Sequence, residues 1–187
     1  MSLFTDIDKK NRHLDFFNSC RDIIPLSYFK RVIKMYDLDL NYQDDQGKTY
    51  LFYLIDSDDN YEIIEYVLTN LKPNLEFKNH RWGNTVLNHA CQFSNFEIVE
   101  LLLKYGADTN SINNYGNTPI ITAARLRNFE IIELLIQYGA RIDATDIRGD
   151  SVLQILAKIE EPNDDDDDNI INYLYFKISK LLWNIEK

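Results

Sequence analysis

Residues 113–143 read NNYGNTPIITAARLRNFEIIELLIQYGARID, and this stretch decides the fold. It begins with a glycine-containing turn, passes through two short segments of helical periodicity and ends in a second glycine-containing turn. The second segment places Ile131, Leu134 and Leu135 at i, i+3 and i+4, which predicts an amphipathic helix with one buried face. A unit this small cannot bury its apolar face alone, so we expect neighbouring copies of it in the chain.

The spacing of the glycines reveals those copies. Gly83, Gly116 and Gly149 are 33 residues apart, and Gly47 lies 36 residues before Gly83. Three related segments recur in phase with them: EIIEYVL (62–68), EIVELLLKYGADTN (97–110) and EIIELLIQYGARID (130–143). A period of about 33 residues, containing a turn and two short helices, indicates a solenoid of stacked units.

These units resemble ankyrin repeats. The family pattern is D-x-x-G-x-T-P-L-H-x-A-A followed by E-I-V-x-L-L-L-x-x-G-A-D-x-N, and GNTPIITAA (116–124) and EIVELLLKYGADTN match it closely. The resemblance implies an all-α ankyrin-repeat solenoid, one domain of stacked helix-turn-helix units with β-hairpin-like turns. The flanking units depart from the pattern, because Tyr50 and Val152 stand where it has proline and the first repeat is three residues too long.

We divide the chain into five units of this single solenoid. They are a divergent N-terminal capping unit (1–43), a degenerate repeat (44–78), two ankyrin repeats (79–112 and 113–145) and a C-terminal repeat or cap (146–187) with an acidic inter-helix loop (161–169). Terminal units are expected to diverge because their outer faces meet solvent. The helical patterns in the caps are LSYFKRVIKMY (26–36), SVLQILAKI (151–159) and NIINYLYFKISKLLWNIEK (169–187).

Local sequence signals predict how each repeat is built. The turn glycines stand where a tight turn needs positive φ, a conformation that costs glycine little. Thr85 and Thr118 follow two residues later and are predicted to cap the first helices with their hydroxyl groups. Gly106 and Gly139 are predicted to end the second helices in the left-handed conformation.

Composition narrows the class of function. A formal net charge of -10 and a pI near 4.7 disfavour binding to nucleic acid or to anionic membrane. Cys20 and Cys91 belong to no metal-ligand motif, which favours free thiols in a reducing compartment. No secretory signal or membrane span is visible, so we expect a cytoplasmic protein, or one in the cytoplasm or nucleus of a host cell. Abundant Asn, Ile, Lys and Tyr are typical of AT-rich genomes, such as those of large DNA viruses and intracellular bacteria.

The resemblance also implies where a partner would bind. In ankyrin repeats the hairpin tips and the exposed side of each first helix line a concave surface. The partner-binding residues predicted at those positions are Arg81, Trp82, Asn84, Phe93, Tyr115, Asn117, Arg125, Leu126, Ile147 and Arg148. Aromatic residues and arginine dominate binding hot spots, and this strip is expected to accept an apolar helix or loop that carries carboxylates. Alternatively, Trp82 and Phe93 pack against the neighbouring tips, and the arginines are merely solvated.

We therefore predict a non-catalytic module that binds another protein, is monomeric and has no cofactor or metal. One alternative is a metal-dependent regulator or enzyme that uses the acidic loop 161–169. Its aspartate run lacks the ligand spacing of a calcium loop, which favours a solvated segment. A second alternative is a homo-oligomeric scaffold, such as a dimer, that stacks through the C-terminal helix. The resemblance also implies a possible hydroxylation site at Asn110, whose alternative role is to organise its turn.

Overall fold

A computed structural model describes residues 2–20, 24–56, 60–93, 95–158 and 176 of the 187-residue chain, with backbone only for 2–10. The helices of the described residues are α1 Ser2–Ser19, α2 Leu26–Tyr36, α3 Tyr50–Ile55, α4 Tyr61–Tyr66 (continued by a π-helix, Val67–Leu71), α5 Val86–Phe93, α6 Phe96–Lys104, α7 Pro119–Arg125, α8 Phe129–Gln137 and α9 Val152–Lys158. The predicted loop 161–169 lies outside the described residues, and of the helix predicted over 169–187 only Phe176 is described, as an exposed helical residue.

The all-α prediction is confirmed for the part of the chain that the structure describes. Consecutive first helices pack in the order α3, α5, α7 and α9, and second helices pack in the order α4, α6 and α8. The predicted stripe of the second helices forms the core, since Leu102, Ile131 and Leu135 are fully buried. No helix within the described ranges is long and apolar enough to cross a membrane.

Each repeat begins with a hairpin-like tip. The four tips are tip 1 (44–48), tip 2 (79–84), tip 3 (113–117) and tip 4 (146–150). In every tip the first backbone N–H donates to the carbonyl of the last residue at 3.0 Å. An Asp or Asn side chain at the first position accepts two further backbone N–H groups of the same tip, as when Asn113 Oδ1 accepts from Tyr115 at 2.9 Å and from Asn117 at 3.0 Å. The tips are therefore held by their own hydrogen bonds.

Consecutive tips also pack tightly against one another. The backbone N–H of Asn114 in tip 3 donates to the carbonyl of Trp82 in tip 2 at 2.9 Å. Gly116 has φ +72°, and a Cβ there would lie 2.7 Å from the backbone N of Ile147 in tip 4. Glycine is thus required both for the positive φ and for the close approach of the next tip.

The three extra residues between Gly47 and Gly83 are absorbed at three separate places. One lies between tip 1 and α4. A second lies in the π-helix Val67–Leu71, whose wider turn takes up one residue. The third lies in tip 2, where Asn79 and Gly83 are four residues apart, whereas Asn113 and Gly116 in tip 3 are three apart. Tip 2 is therefore the longest tip of the four.

The predicted helix caps are partly correct. Gly106 and Gly139 end α6 and α8 with φ of 85° and 86°. Thr85 caps α5 through a long hydrogen bond of 3.4 Å from the N–H of Asn88, but the prediction for Thr118 is wrong, because its buried hydroxyl has no partner among the described residues. The second helices α6 and α8 are capped by asparagine, as when Asn95 Oδ1 accepts from the N–H of Ile98 at 3.0 Å, whereas the side chain of Asn60 makes no such bond at the start of α4.

An aromatic cluster joins the N-terminal cap to the first repeat. The buried His13 ring of α1 stacks on Tyr42 with ring centres 4.1 Å apart, and His13 Nδ1 lies 2.5 Å from the hydroxyl of Tyr50. Phe17 packs on Tyr50 with ring centres 4.2 Å apart. The cap therefore buries its aromatic side against α3, although the sequence analysis did not assign α1 as a helix.

A buried carboxylate connects tip 4 to the preceding repeat. Asp146 Oδ1 accepts the N–H groups of Arg148 at 2.8 Å and Asp150 at 3.0 Å, and its Oδ2 pairs with Arg125 of α7. Burial by itself raises the pKa of Asp146, but the two backbone N–H groups and the charges of Arg125 and Arg148 lower it more, so its pKa lies below the usual value.

Substitution of the turn glycines will separate backbone strain from tip packing. Gly149 also has positive φ, but a Cβ there meets nothing within 4 Å. We expect Gly149→Ala to lower the free energy of unfolding by about 1 kcal/mol, which is the cost of the left-handed conformation. Gly116→Ala should cost about 3 kcal/mol, because its Cβ also displaces tip 4. Equal losses in urea unfolding would contradict the importance of tip packing.

A non-glycine residue occupies the left-handed cap of the first repeat. Lys72 has φ 46° and stands where the next repeat has Gly106. We expect Lys72→Gly to raise the free energy of unfolding by about 1 kcal/mol, since glycine adopts this conformation without strain. The counterpart Gly106→Ala, whose Cβ meets nothing within 4 Å, should lower it by a similar amount. Urea unfolding of both variants checks the pair, and a loss in Lys72→Gly would contradict it.

The lowered pKa of Asp146 predicts a pH-dependent contribution to stability. A group whose pKa is lower in the folded state stabilises the fold above its unfolded pKa of about 3.9, and this contribution is lost as pH falls through the folded pKa. We expect Asp146→Asn, which keeps an acceptor for the tip, to cost about 1 kcal/mol at pH 7 and less below pH 4. The control is Asp143→Asn, whose ion pair with Arg141 is exposed, and it should change nothing measurable at pH 7. A cost of Asp146→Asn that grows on acidification would contradict the prediction.

Candidate functional site

An open groove lies between tips 2 and 3, beside helices α5 and α7. Its volume is about 360 Å³. Its walls and floor are formed by Trp82, Asn84, Gln92, Asn113, Tyr115, Asn117, Thr122, Arg125 and Leu126. We call it the inter-tip groove. It brings together six of the ten residues that the sequence analysis assigned to partner binding, namely Trp82, Asn84, Tyr115, Asn117, Arg125 and Leu126.

The apolar walls of the groove are side chains that the fold leaves exposed. Tyr115 at the apex of tip 3 is 51% exposed, and Leu126 at the end of α7 is 48% exposed. Trp82 in the longer tip 2 is half-buried, and the Arg81 guanidinium lies 4.6 Å from its ring centre. The cation stacks on one side of this indole, so Arg81 stiffens the wall.

The floor of the groove is a relay of side-chain amides. Asn113 Nδ2 donates to Asn84 Oδ1 at 2.8 Å, and Asn84 Nδ2 donates to Gln92 Oε1 at 3.4 Å. Asn84 was predicted to contact a partner, but it is buried with 5% exposure, and the relay uses both its amide atoms. Gln92, the last residue but one of α5, is the exposed end of the relay.

Arg125 has a different role from the one that the sequence suggested. It was expected to present a positive charge to a partner, whereas its Nη2 is paired with the buried carboxylate of Asp146. The Arg125 side chain is nevertheless 41% exposed, and it lines the inter-tip groove. It therefore joins two repeats while leaving part of its guanidinium at the surface.

The other four predicted residues lie outside the groove. Phe93 is 53% exposed and packs edge-on against the His89 ring, with ring centres 4.9 Å apart, so packing accounts for part of its surface. Ile147 at tip 4 is 71% exposed, and Arg81 and Arg148 are also exposed. These side chains extend the presented surface on both sides of the groove.

Asn110 lies at the junction of two repeats. Its Oδ1 accepts the backbone N–H of Arg141 in the following repeat at 2.9 Å, and its Nδ2 lies 3.1 Å from the Thr109 hydroxyl. Asn41 and Glu76 accept the corresponding backbone N–H groups of their own following repeats at 2.8 and 2.9 Å. The side chain of Asn110 thus organises the connection between repeats.

Reactive groups of the described residues are poorly placed for chemistry. Burial raises the pKa of the Cys20 thiol to about 12 and raises the pKa of Cys91 as well, so neither forms a thiolate nucleophile at neutral pH. His89 Nε2 lies 2.6 Å from Asp56 Oδ1 beside two aromatic rings, a structural contact in the core. Within the ranges described, no three His, Cys, Asp or Glu side chains are grouped to hold a metal ion.

Sequence reasoning missed the roles of Gln92 and Asn113. Asn113 occupies the first position of the family pattern, where an acidic or amide residue signals a tip, and this signal was available. Gln92 stands at the end of a first helix, at a presenting position, but nothing in the sequence indicated that it ends a hydrogen-bond relay. Only the distances between the side chains of Asn113, Asn84 and Gln92 in the folded chain reveal that relay.

Comparisons with known proteins agree with this architecture. A family model described as ankyrin repeats, in three copies, matches residues 70–146. The chain is similar to an ankyrin repeat protein of Acanthamoeba polyphaga mimivirus, with 36% identity over 75 residues, which are 40% of this chain and 17% of that protein. It is also similar to an ankyrin repeat protein of Fowlpox virus (strain NVSL), with 36% identity over 100 residues, which are 51% of this chain and 16% of that protein.

The matched segment therefore spans less than a fifth of the length of either relative. The repeat period, the stacked helix pairs, the hairpin-like tips and the family match agree with one another, and residues 70–146 of the chain are ankyrin repeats.

Proposed function

We propose that this chain binds a partner protein, without catalysis, through its tips and the exposed ends of its first helices, with the inter-tip groove at the centre. Ankyrin repeats are protein-interaction modules, so the open question for this chain is the surface and the partner. The observation that carries the proposal is the grouping of Trp82, Tyr115 and Leu126 around one groove. These large apolar side chains add little to the core, and such residues form the centres of interfaces.

Rigidity of the tips supports the same proposal. Tyr115 and Trp82 are held in tips whose backbone N–H groups are bound by Asn113 and Asn79. A side chain on a rigid backbone loses little conformational freedom when it binds, so more of the contact energy becomes affinity. This arrangement favours binding of a preformed surface over folding around the partner.

The groove is large enough for one or two side chains of a partner, not for a whole interface. A stable interface buries about 800 Å² on each protein. Ile147 of tip 4 and Phe93 of α5 lie on either side of the groove and would extend the contact to that size. We therefore infer an interface that is anchored in the groove and spreads over the neighbouring tips.

Viral relatives and an AT-rich type of composition support a role at the contact between a virus and its host. On this proposal the chain acts in the cytoplasm or nucleus of a host cell and binds a host protein. Its net charge of -10 argues against nucleic acid and membrane as alternative partners. The alternative that uses the acidic loop 161–169 falls on residues outside the described ranges, as does the C-terminal helix apart from Phe176, and no observation favours either alternative.

Removal of the apolar walls tests the proposal. We expect Trp82→Ala and Tyr115→Ala to weaken a captured partner by about tenfold to a hundredfold, because each removes a hot-spot contact worth 1–3 kcal/mol. The matched control is Tyr138→Ala, the same change at a 40% exposed tyrosine after α8, on the side of the second helices. Affinity capture from host-cell lysate at physiological salt, with quantitative mass spectrometry, provides the measurement.

Two outcomes of this experiment are informative. Loss of the same protein from both tip variants, with its retention by the control, supports the proposed surface. Equal retention by all variants, each with unchanged thermal unfolding, would show that the partner binds elsewhere.

A further inference from the structure

The inter-tip groove presents hydrogen-bond donors. The backbone N–H groups of tip 3 determine which atom of each relay amide is the oxygen and which is the nitrogen. Asn113 Oδ1 must be the oxygen of its amide, because it accepts the N–H groups of Tyr115 and Asn117. Its Nδ2 is therefore a donor, so the atom of Asn84 that it meets is an oxygen. Asn84 then donates through Nδ2 to an oxygen of Gln92. The relay ends at Gln92 Nε2, a donor for which no described residue supplies an acceptor.

A second observation concerns two positions that recur in every repeat. These are the residue after the turn glycine and the residue eight positions later. In three repeats the two side chains contact each other: Lys48 and Asp56 at 3.8 Å, Asn84 and Gln92 at 3.4 Å, and Asp150 and Lys158 at 2.6 Å.

The third repeat breaks this rule at the groove. Its pair is Asn117 and Arg125, but Arg125 turns to Asp146 of the next tip. The side-chain amide of Asn117 is left without a hydrogen-bond partner among the described residues, and its Oδ1 is buried. Asn117 and Gln92 thus both line the groove with amide N–H groups that the fold does not use.

The charged residues around the groove are positive, so they favour a negatively charged or hydrogen-bond-accepting partner, as the amide donors do. Arg125 lines it, and the exposed Arg81 and Arg148 flank it in tips 2 and 4. The residues that line the groove include no Asp or Glu, and the carboxylates of Asp146 and Asp150 are paired with Arg125 and Lys158. A chain of net charge -10 therefore surrounds this groove with arginine and amide donors.

We propose that the inter-tip groove binds an extended, acidic segment of a partner protein, in which a large apolar side chain is flanked by carboxylates. The apolar side chain lies between Trp82, Tyr115 and Leu126. A flanking carboxylate and a main-chain carbonyl accept hydrogen bonds from Gln92, Asn117 and Arg125. This inference rests on the proposed protein-binding function and specifies the chemistry of the partner.

An extended segment fits this groove better than a helix does. The carbonyl groups of a helix accept hydrogen bonds within the helix, except in its last turn. An extended segment exposes its carbonyl groups along its length and can use the unpaired amide donors of the floor. The donors of the groove also give specificity. A basic segment would place its cations against Arg125 and the amide N–H groups, which need acceptors, so it should bind more weakly.

Short peptides test the chemistry directly on the full chain. The probe is GSGDFDGSG, and its comparison peptides are GSGKFKGSG, with inverted charge, and GSGDADGSG, without the aromatic ring. In ¹⁵N-labelled protein we expect the probe to shift the side-chain NH₂ signals of Gln92 and Asn117 and the indole N–H of Trp82. Both comparison peptides should bind at least about tenfold more weakly, the equivalent of one lost charge-assisted hydrogen bond or one hot-spot side chain.

Three results would overturn the proposal. They are equal or tighter binding of GSGKFKGSG, equal binding of GSGDADGSG, and probe-induced shifts confined to residues outside the groove. Tighter binding of a helix-stabilised peptide with the same Asp-Phe-Asp core would overturn the extended conformation.

A matched pair of variants tests the donor role of Gln92. Gln92→Glu keeps an oxygen for Asn84 but replaces the free donor with a negative charge, so probe binding should fall at least about tenfold. Gln137→Glu makes the same change at an exposed residue of α8 and should leave probe binding unchanged. Equal affinity of the two variants for the probe, with equal thermal unfolding, contradicts the assignment.

Failure of this inference can be distinguished from failure of the proposed function. If the probe does not bind, while capture of a cellular partner remains sensitive to Tyr115→Ala, the proposed binding surface is supported and the proposal that the partner segment is acidic is wrong. If capture is also insensitive to that substitution, both proposals fail.

Discussion

The close approach of consecutive tips is the constraint on which the rest of this structure depends. At Gly116 the backbone has positive φ, and the backbone of the next tip passes where a Cβ would stand. This contact fixes the spacing and the register between repeats, and the apolar stripes of α6 and α8 can then bury one another. Because the register is fixed, residues 33 positions apart, such as Gln92 and Arg125, lie at equivalent places on neighbouring first helices. A surface that is discontinuous in sequence thereby becomes one groove.

The candidate site arises where the repeat departs from its own rule. Tip 2 contains one residue more than the other tips, and Trp82 lies in that longer tip. In the third repeat Arg125 pairs with Asp146, not with Asn117, and the side-chain amide of Asn117 is left without a hydrogen-bond partner among the described residues. A regular array satisfies its polar groups in the same way in each repeat. Irregular repeats leave donors and apolar side chains exposed, and we propose that these departures from the repeat determine which partner the chain binds.

Much of the fold could be predicted from local chemistry, whereas the site could be predicted only in outline. The conformations of Gly106, Gly139 and the turn glycines could be predicted from the sequence, because no other residue adopts positive φ so readily. The hydroxyl of Thr118 was misassigned, and the ion pair of Arg125 with Asp146 was not predicted, since both depend on contacts between different parts of the chain. Lys72 shows the same limit, because a lysine gives no sign that it ends a helix in the left-handed conformation.

The sequence by itself determined the period, the turns, the buried stripes of the second helices and the presenting positions, because each depends on residues within one repeat. Only the tertiary structure decided which polar groups at those positions remain available. Hydrogen bonds such as Asn113 to Asn84, and ion pairs such as Arg125 to Asp146, join different repeats and require the two groups to be placed to within a few tenths of an ångström. No pattern along a single repeat contains those distances, so the donor character of the groove is a property of the folded array alone.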